Sequence, residues 1–305
     1  MNINNVKVAT IIVTYNRLEL LKKSINSHLS QTRISDIILI VDNSSTDGTL
    51  DYLKEISNIY SNIELLQLKD NTGGAGGFYY GLKYLQENIA VDWVWMMDDD
   101  AIPECDALEK LIKYADSKNN LYGSLPQLDG KCCWPNTSLD GKILNNYNSF
   151  CSIEEVKWIP FLGFLISLQL VQKIGLPNKD FFLAADDVEY SMRAKKNGAK
   201  IYIIRDSLLS HPTSDSYKIN IGYRYVTNLR LVPWKRYYDT RNRLLIAKKY
   251  YGFKYYTQTI PASFIRLFAA LLNEKNRLKQ VKAFFAGFYD GIFNKTGRRH
   301  DKWDL

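Results

Sequence analysis

Three carboxylates stand in a row at Asp98, Asp99 and Asp100, directly after the apolar run Trp93–Met97. Like charges at that spacing repel, so folding disfavours the cluster unless a cation or solvent offsets it. In an extended segment Asp98 and Asp100 face the same side. Their hard oxygen atoms suit Mg2+ or Mn2+ bridging a diphosphate; the plainer reading is a solvated acidic loop. A second acidic group, Asp186, Asp187 and Glu189 in FFLAADDVEYSMR, falls at a helix start. Capping explains one or two acids there more comfortably than three, and a carboxylate so placed could act as general base on a hydroxyl. VDNSSTDGT supplies Asp42 and Asn43 at another strand end. Asp47 and Gly48 make a good turn pair, whereas Asp42 can accept hydrogen bonds from a base or ribose. His211 follows a strand and precedes Pro212, where it is either structural or a ligand reaching the acidic run. His28 and His300 are expected to face solvent.

NTGGAGGF, residues 71–78, packs four glycines into five positions. It is not GxGxxG, and it follows the third strand rather than the first. Glycine permits close backbone approach or positive φ. The expectation is a close-approach loop opening a helix at Ala75, with a tight strand-to-helix entry as the alternative.

These residues need a frame. Val6–Val13, Asp36–Val41, Ile63–Leu68 and Trp93–Met97 read as buried strands. Helices are expected from Leu18, with Asn16 as cap and Leu18, Leu21, Ile25 and Leu29 on one face, and over Thr49–Ile59 and Ala75–Gln86. The alternation predicts an α/β fold, a mostly parallel sheet with helices on both faces. Ligands of such sheets bind beyond the carboxyl ends of the strands. There stand Thr14, Tyr15, Asn16 and Arg17, then Asp42 and Asn43, then Asn71, Gly73, Gly74 and Gly76, and then the three aspartates. Residues 118–150 read as irregular, Trp158–Ser167 as an apolar segment around Gly163, Asp186–Lys196 as a helix and Lys200–Ile204 as a short strand. From Tyr237 onward the pattern is helical, basic and aromatic.

Hydrophobic residues make up 46% of the 305, enough for a packed core. No window offers a membrane span; the nearest, Ile260–Leu272, is short and carries Arg266. The N-terminal residues lack an apolar run of secretory length before Tyr15 and Asn16. The cysteines at 105, 132, 133 and 151 show no metal-type spacing and read as free thiols of a reducing compartment. Net charge is +8, but residues 241–305 alone carry +10. That places the basic surface in the tail, beside FKYYTQTIPASFIRLFAALL and QVKAFFAGFYDGIF, which look amphipathic. An anionic membrane surface is one partner for it, and packing on the core or on another subunit is the other; nucleic acid is not expected, since no motif accompanies the charge.

Taken in order, VTYNR, VDNSSTDGT, NTGGAGGF, MMDDDA, FLGFLIS, ADDVEYSMR and His211 resemble the family 2 glycosyltransferases with a GT-A, Rossmann-like fold, over roughly residues 6–245. With YYDTRNRLL at 237–245, the pattern looks most like bacterial galactofuranosyltransferases. The resemblance implies inverting transfer from a nucleotide-diphosphate sugar, foremost UDP-galactofuranose, to a glycan or lipid-linked glycan in polysaccharide or cell-surface glycan synthesis. It implies that Thr14, Asn16 and Asp42 hold the nucleoside, with Tyr15, Arg17, Asn43, Asn71, Gly73, Gly74 and Gly76 around the nucleotide sugar. Asp98, Asp100 and His211 would hold Mn2+ or Mg2+, and Asp99 would face the donor sugar or its ribose. Asp187 would be the base, with Asp186 as the nearest alternative, and Glu189 would bind acceptor or position the base. Trp158, Gly163 and Phe164 would line the acceptor side.

The implied layout is a catalytic GT-A domain over residues 1–235, with a nucleotide-sugar half to about 101 and an acceptor half from 102. A basic helical extension over 236–305 follows, associating with membrane or with another copy. The implied location is cytoplasmic, peripheral on the inner face of the membrane. A rhamnosyltransferase using dTDP-rhamnose shares the layout but usually has a less glycine-dense loop. A nucleotidyltransferase is more distant, since VTYNRLE stands where its glycine- and basic-rich loop belongs. A non-catalytic sugar-nucleotide-binding scaffold fits less well with acids intact at both positions.

Overall fold

VATIIVT has no polar alternation, and β1 (Val8–Thr14) is buried along its whole length. Such a strand must lie inside a sheet covered on both faces. β2 (Ile37–Asp42), β3 (Ile63–Gln67) and β4 (Trp93–Asp98) run parallel with it in the order β3-β2-β1-β4. The crossovers are α1 (Leu18–Leu29), α2 (Thr49–Ile59) and α3 (Gly73–Asn88). Ala9, Ile11 and Val13 pack with Phe78, Leu82 and Leu85 of α3 on one face. Val8 and Ile12 pack with Leu21 and Ile25 of α1 and Leu53 of α2 on the other. This computed structural model describes residues 6–221 and 224–305.

Beyond β4 come β5 (Ile102–Pro103), α4 (Ala107–Tyr114), β6 (Leu121–Leu128), β7 (Lys131–Thr137), β8 (Ile143–Asn146), β9 (Ile153–Glu155), β10 (Leu162–Ser167), α5 (Leu168–Ile174), α6 (Asp186–Lys196) and β11 (Ile201–Ser210). β10 is antiparallel to both β4 and β6, and β6 runs parallel to β11, extending the sheet to eleven strands. The region expected to be irregular, 118–150, thus holds three strands. Its turn-rich composition comes from tight connections: Leu128 pairs with Lys131 across Asp129-Gly130, both at positive φ, the signature of a two-residue hairpin. β11 also runs on to Ser210, past the expected end at Ile204, through an irregularity between Ile204 and Leu208.

The chain divides into two units, the first reaching Lys179 and resuming over Asp187–Thr213, the second formed by Asp180–Asp186 and Ser214–Leu305. The second holds an antiparallel hairpin, β12 (Ser216–Ile221) with β13 (Arg224–Leu229), and three helices, α7 (Pro233–Tyr250), α8 (Ile260–Asn273) and α9 (Arg277–Ile292). Pro233 starts α7, where its missing N–H costs nothing. Phe182, Tyr237 and Tyr238 share a core with Ala283 and Ala286 of α9. Part of the charge is used internally. Arg236 pairs with Glu274 at 2.6 Å, both side chains buried. Asp290, fully buried, accepts from the Tyr237 hydroxyl (2.6 Å), Arg299 Nε (2.9 Å) and Trp303 Nε1 (3.0 Å). Among the described residues no helix is long and apolar enough to cross a membrane.

Two histidines depart from expectation. His28 shares the buried stripe of α1 with Leu21, Ser24 and Ile25, its ring edge-on to Trp95 at 5.2 Å. Neither ring nitrogen has a hydrogen-bond partner among the described residues, and burial pushes its pKa down to about 3. His300 meets the Tyr238 hydroxyl through Nδ1 at 2.7 Å.

Candidate active site

Parallel register lines up three strand ends: Thr14 lies opposite Asp42, and Val13 opposite Asp98. Asp42 is fully buried. Its Oδ1 accepts from the Ser45 amide at 3.0 Å, while Oδ2 is buried with no partner among the described residues. An unmatched buried acceptor costs about 1–3 kcal/mol, so this oxygen is set to receive a ligand N–H or O–H. Asn43 fastens the end of β2 to the entry of α3: its Oδ1 accepts from Thr72 Oγ1 at 2.8 Å, and its Nδ2 donates to the Gly73 carbonyl at 3.1 Å. Asn71 Oδ1 accepts from the Gly73 amide at 2.9 Å. Tyr15 is exposed.

Asn16 does not cap α1. At φ 52° its amide donates to Ser45 Oγ and its Oδ1 accepts from the Thr46 amide at 2.7 Å, which ties the first strand-end loop to the second. The free Leu18 amide at the head of α1 is met instead by Asp47 Oδ2 at 3.1 Å.

Asp99 and Asp100 are partly offset by basic groups of the chain itself. Arg17 Nη1 lies 3.2 Å from Asp99 Oδ1 and 2.7 Å from Asp100 Oδ2. Thr14 Oγ1 donates to Asp99 Oδ2 at 2.7 Å. Burial holds the Asp99 carboxyl above its ordinary pKa despite Thr14 and Arg17. At Asp100 burial acts the same way, but His211 and Arg17 outweigh it and the pKa is lowered. His211 Nε2 approaches Asp100 Oδ1 at 3.2 Å, outside hydrogen-bond geometry, so that this buried oxygen lacks a donor. Desolvation pulls the His211 pKa down and Asp100 more than restores it, leaving it raised. The imidazole is fixed by Nδ1, 2.6 Å from the Pro212 carbonyl, which directs Nε2 to Asp100. Cys133 Sγ donates to the His211 carbonyl at 2.9 Å and Trp134 packs on the ring at 5.1 Å; no sequence signal marked either residue. Among the described residues no three His, Cys, Asp or Glu side chains gather around one metal position. Asp100 Oδ1 and His211 Nε2 are the donors that converge, and an unmatched carboxylate oxygen beside an imidazole fits a divalent cation such as Mn2+ or Mg2+.

The glycine run is helix rather than loop. α3 begins at Gly73, two residues before the expected Ala75. A Cβ at Gly77 would clash with the Val13 side chain, and one at Gly81 would lie 3.0 Å from Ile11 Cγ2. These glycines let α3 sit close on β1. Gly76 is closed off by Thr72, whereas Gly74 faces open space.

Asp186 and Asp187 head α6. Asp187 Oδ1 accepts from the Val188 amide at 2.7 Å. Glu189 is buried and paired with Arg193 at 2.5 Å, and Arg193 donates to the carbonyls of Ile174 and Leu176, so this acid helps anchor α6 to the end of α5. Just before the pair, Phe182, Ala184 and Ala185 have φ of 63°, 69° and 61°. Left-handed backbone costs L-residues about 1–2 kcal/mol each. Gly163 (φ 76°) sits at the irregularity in β10, where a Cβ would lie 2.6 Å from that of Ser124. Phe164 is fully buried between Phe161 and Tyr190, so core packing accounts for it. Trp158 is half-buried ahead of β10.

A model of the family described as Glycosyl transferase family 2 matches residues 9–136. Galactofuranosyltransferase GlfT1 of Mycolicibacterium smegmatis is 25% identical over 257 residues, covering 77% of this chain and 81% of that protein. The dTDP-rhamnosyl transferase RfbF of Shigella flexneri is 24% identical over 312 residues, covering 96% and 98%. Among solved structures, GalNAc-T7 with UDP, GalNAc and Mn2+ superposes with a TM-score of 0.65 at 12% identity over 92% of this chain, which spans about half (55%) of that protein. The mannosyltransferase PcManGT of Pyrobaculum calidifontis, in complex with GDP-Man and Mn2+, gives 0.60 at 14% identity, covering 95% and 88%. The fold and the matched family model agree: residues 9–136 carry a family 2 glycosyltransferase domain, and the sheet has the GT-A fold of the glycosyltransferases it superposes with.

Proposed function

We propose that the protein is an inverting, metal-dependent galactofuranosyltransferase that moves the sugar from UDP-galactofuranose to a glycan or lipid-linked glycan in bacterial cell-surface glycan synthesis. The observation that carries this reading is the buried Asp42 carboxylate with an unmatched Oδ2, in register with Thr14 of β1, whose other neighbour β4 leads into Asp99 and Asp100. Asp42, Thr14 and Asn16 would bind the nucleoside, with Asn43 and Asn71 ordering the start of α3. Gly74, open on its Cβ side, leaves room for the sugar. Asp98, Asp100 and His211 would hold Mn2+ or Mg2+, which when bound offsets charge on the leaving diphosphate. Asp187, with Asp186 the alternative, takes the proton of the acceptor hydroxyl. That oxygen then attacks the anomeric carbon from the face opposite the diphosphate, UDP leaves, and the configuration inverts. Asp99, held by Thr14 and Arg17, faces the donor; Glu189 acts through Arg193 to position α6; Trp158 and the Gly163 segment stand on the acceptor side.

A relative aligned with nearly the whole chain is a dTDP-rhamnosyl transferase, and this favours dTDP-rhamnose as the second donor. A donor panel with Mn2+ and a synthetic glycan acceptor, read by mass, separates the two. UDP-galactofuranose should give the fastest transfer; faster transfer from dTDP-rhamnose would reverse the order. Phe264, Phe268 and Leu272 on α8 and Phe285 on α9 are exposed within the basic region. This supports peripheral binding at an anionic membrane, with a second copy of the chain as the alternative occupant. Sedimentation with phosphatidylglycerol vesicles should deplete the protein, and Phe268→Glu should abolish this; a salt-resistant dimer without vesicle binding would favour the other.

A further inference from the structure

The segment YYDTRNRLL lies in the middle of α7 and is polar at its centre, yet Arg241 and Asn242 are both fully buried. Both side chains turn to backbone. Asn242 Nδ2 donates to the carbonyls of Phe181 (3.1 Å), Leu183 (2.8 Å) and Ala184 (2.8 Å). Arg241 Nη2 donates to the carbonyls of Asp180 (3.2 Å) and Phe181 (2.8 Å), and Nη1 to that of Gly297 (2.7 Å). The two side chains are locked together by Arg241 Nε and Asn242 Oδ1 at 2.9 Å. The guanidinium also lies over the rings of Tyr237 and Tyr238, and Tyr238 stacks on Phe182 at 5.0 Å.

Five donor contacts therefore converge on residues 180–184, the stretch that contains left-handed Phe182 and Ala184 and runs through left-handed Ala185 into Asp186 and Asp187. Burying a guanidinium is costly, and a non-glycine left-handed run persists only where its surroundings over-determine it. Helix α7 supplies both conditions. We propose that Arg241 and Asn242 are positioning residues for the transferase reaction, holding segment 182–185 with its left-handed Phe182, Ala184 and Ala185 so that α6 begins with Asp186 and Asp187 in the one orientation that serves the acceptor hydroxyl. The inference rests on the assignment of the base to this acid pair.

The test is kinetic, with whichever of UDP-galactofuranose and dTDP-rhamnose the wild type turns over faster. Asn242→Asp keeps size and one acceptor but removes the amide donors. Its kcat should fall about 100-fold and its thermal midpoint should drop, because three carbonyls lose the Asn242 amide as donor, while donor KM and UDP affinity stay within about threefold. Combined with Asp187→Asn, the two losses should not multiply. The inference is overturned if Asn242→Asp turns over within about threefold of wild type, or if UDP affinity falls in step with kcat. If Asn242→Asp gives no folded protein, Arg241→Lys, which keeps the charge and loses the fork, is read by the same criteria. Full turnover in Asp187→Asn with loss in Asn242→Asp would move the base to Asp186; full turnover in both Asp187→Asn and Asp186→Asn would remove the base assignment on its own.

Discussion

Two acidic clusters of similar composition are held by opposite means. Asp99 and Asp100 are held by side chains from afar: Thr14 and Arg17 more than eighty residues earlier, and His211 on the far side of the unit's sequence. Asp186 and Asp187 are placed by backbone, through a left-handed run immediately before them. The first arrangement manages charge, as the proposed site for a diphosphate and its cation would have to. The second fixes direction, as the proposed base, which has one hydroxyl to meet, would require. The difference teaches that like residues in a sequence can be read as chemistry in both places while the means of positioning is visible in neither.

The largest expected effect separates the two clusters. Asp187→Asn should lower kcat by about 1000-fold, within the range of general-base contributions, with Mn2+ dependence unchanged. Asp100→Asn comes next. It should cost about 100-fold and raise the Mn2+ concentration needed for half-maximal rate, since loss of even an outer-shell partner of a metal costs roughly 10–100-fold in affinity or activity. Equal Mn2+ dependence in both variants would erase the distinction between them.

Smaller effects probe the frame of the first cluster without touching its charges. Gly77→Ala drives a methyl into Val13 at the end of β1 and should destabilise by about 1–3 kcal/mol in urea unfolding. Gly74→Ala meets nothing and should gain up to about 1 kcal/mol from helix propensity. Equal losses would return the whole run to one structural role. His28 lies against Trp95 in the strand that leads to the acids. Its folded pKa, about 3, is below its unfolded value of 6.5. Below pH 6.5 the unfolded chain takes up a proton that the folded one refuses, so this contribution is complete above 6.5 and is lost as pH falls toward 3. Between pH 6.5 and 5.5 the loss should be about 1 kcal/mol, and His28→Phe should flatten it.

Much of this frame was legible. Continuous apolar runs between turn signals marked β1 to β4, and helices α2 and α6 run over the expected Thr49–Ile59 and Asp186–Lys196. The residues at the strand ends were legible from where those apolar runs stop. What was illegible depended on distant partners or on reading composition too literally. The Asp-Gly turn between β6 and β7 made a sheet look like a loop. Gly77 reads as flexibility until Val13 is seen against it. His28 is the instructive miss, since its spacing from Leu21 and Ile25 already placed it on the buried face of α1. Arg241 and Asn242, polar residues in a basic helix, gave no sign that their partners were carbonyls some sixty residues earlier.

The division of labour between the clusters is tested most directly by calorimetric titration of UDP with Mn2+ into Asp100→Asn and Asp187→Asn. The account predicts that Asp187→Asn binds UDP as wild type does, whereas Asp100→Asn loses the Mn2+-dependent part of the affinity. Equal loss of UDP affinity in the two variants, or full affinity in both, would contradict it.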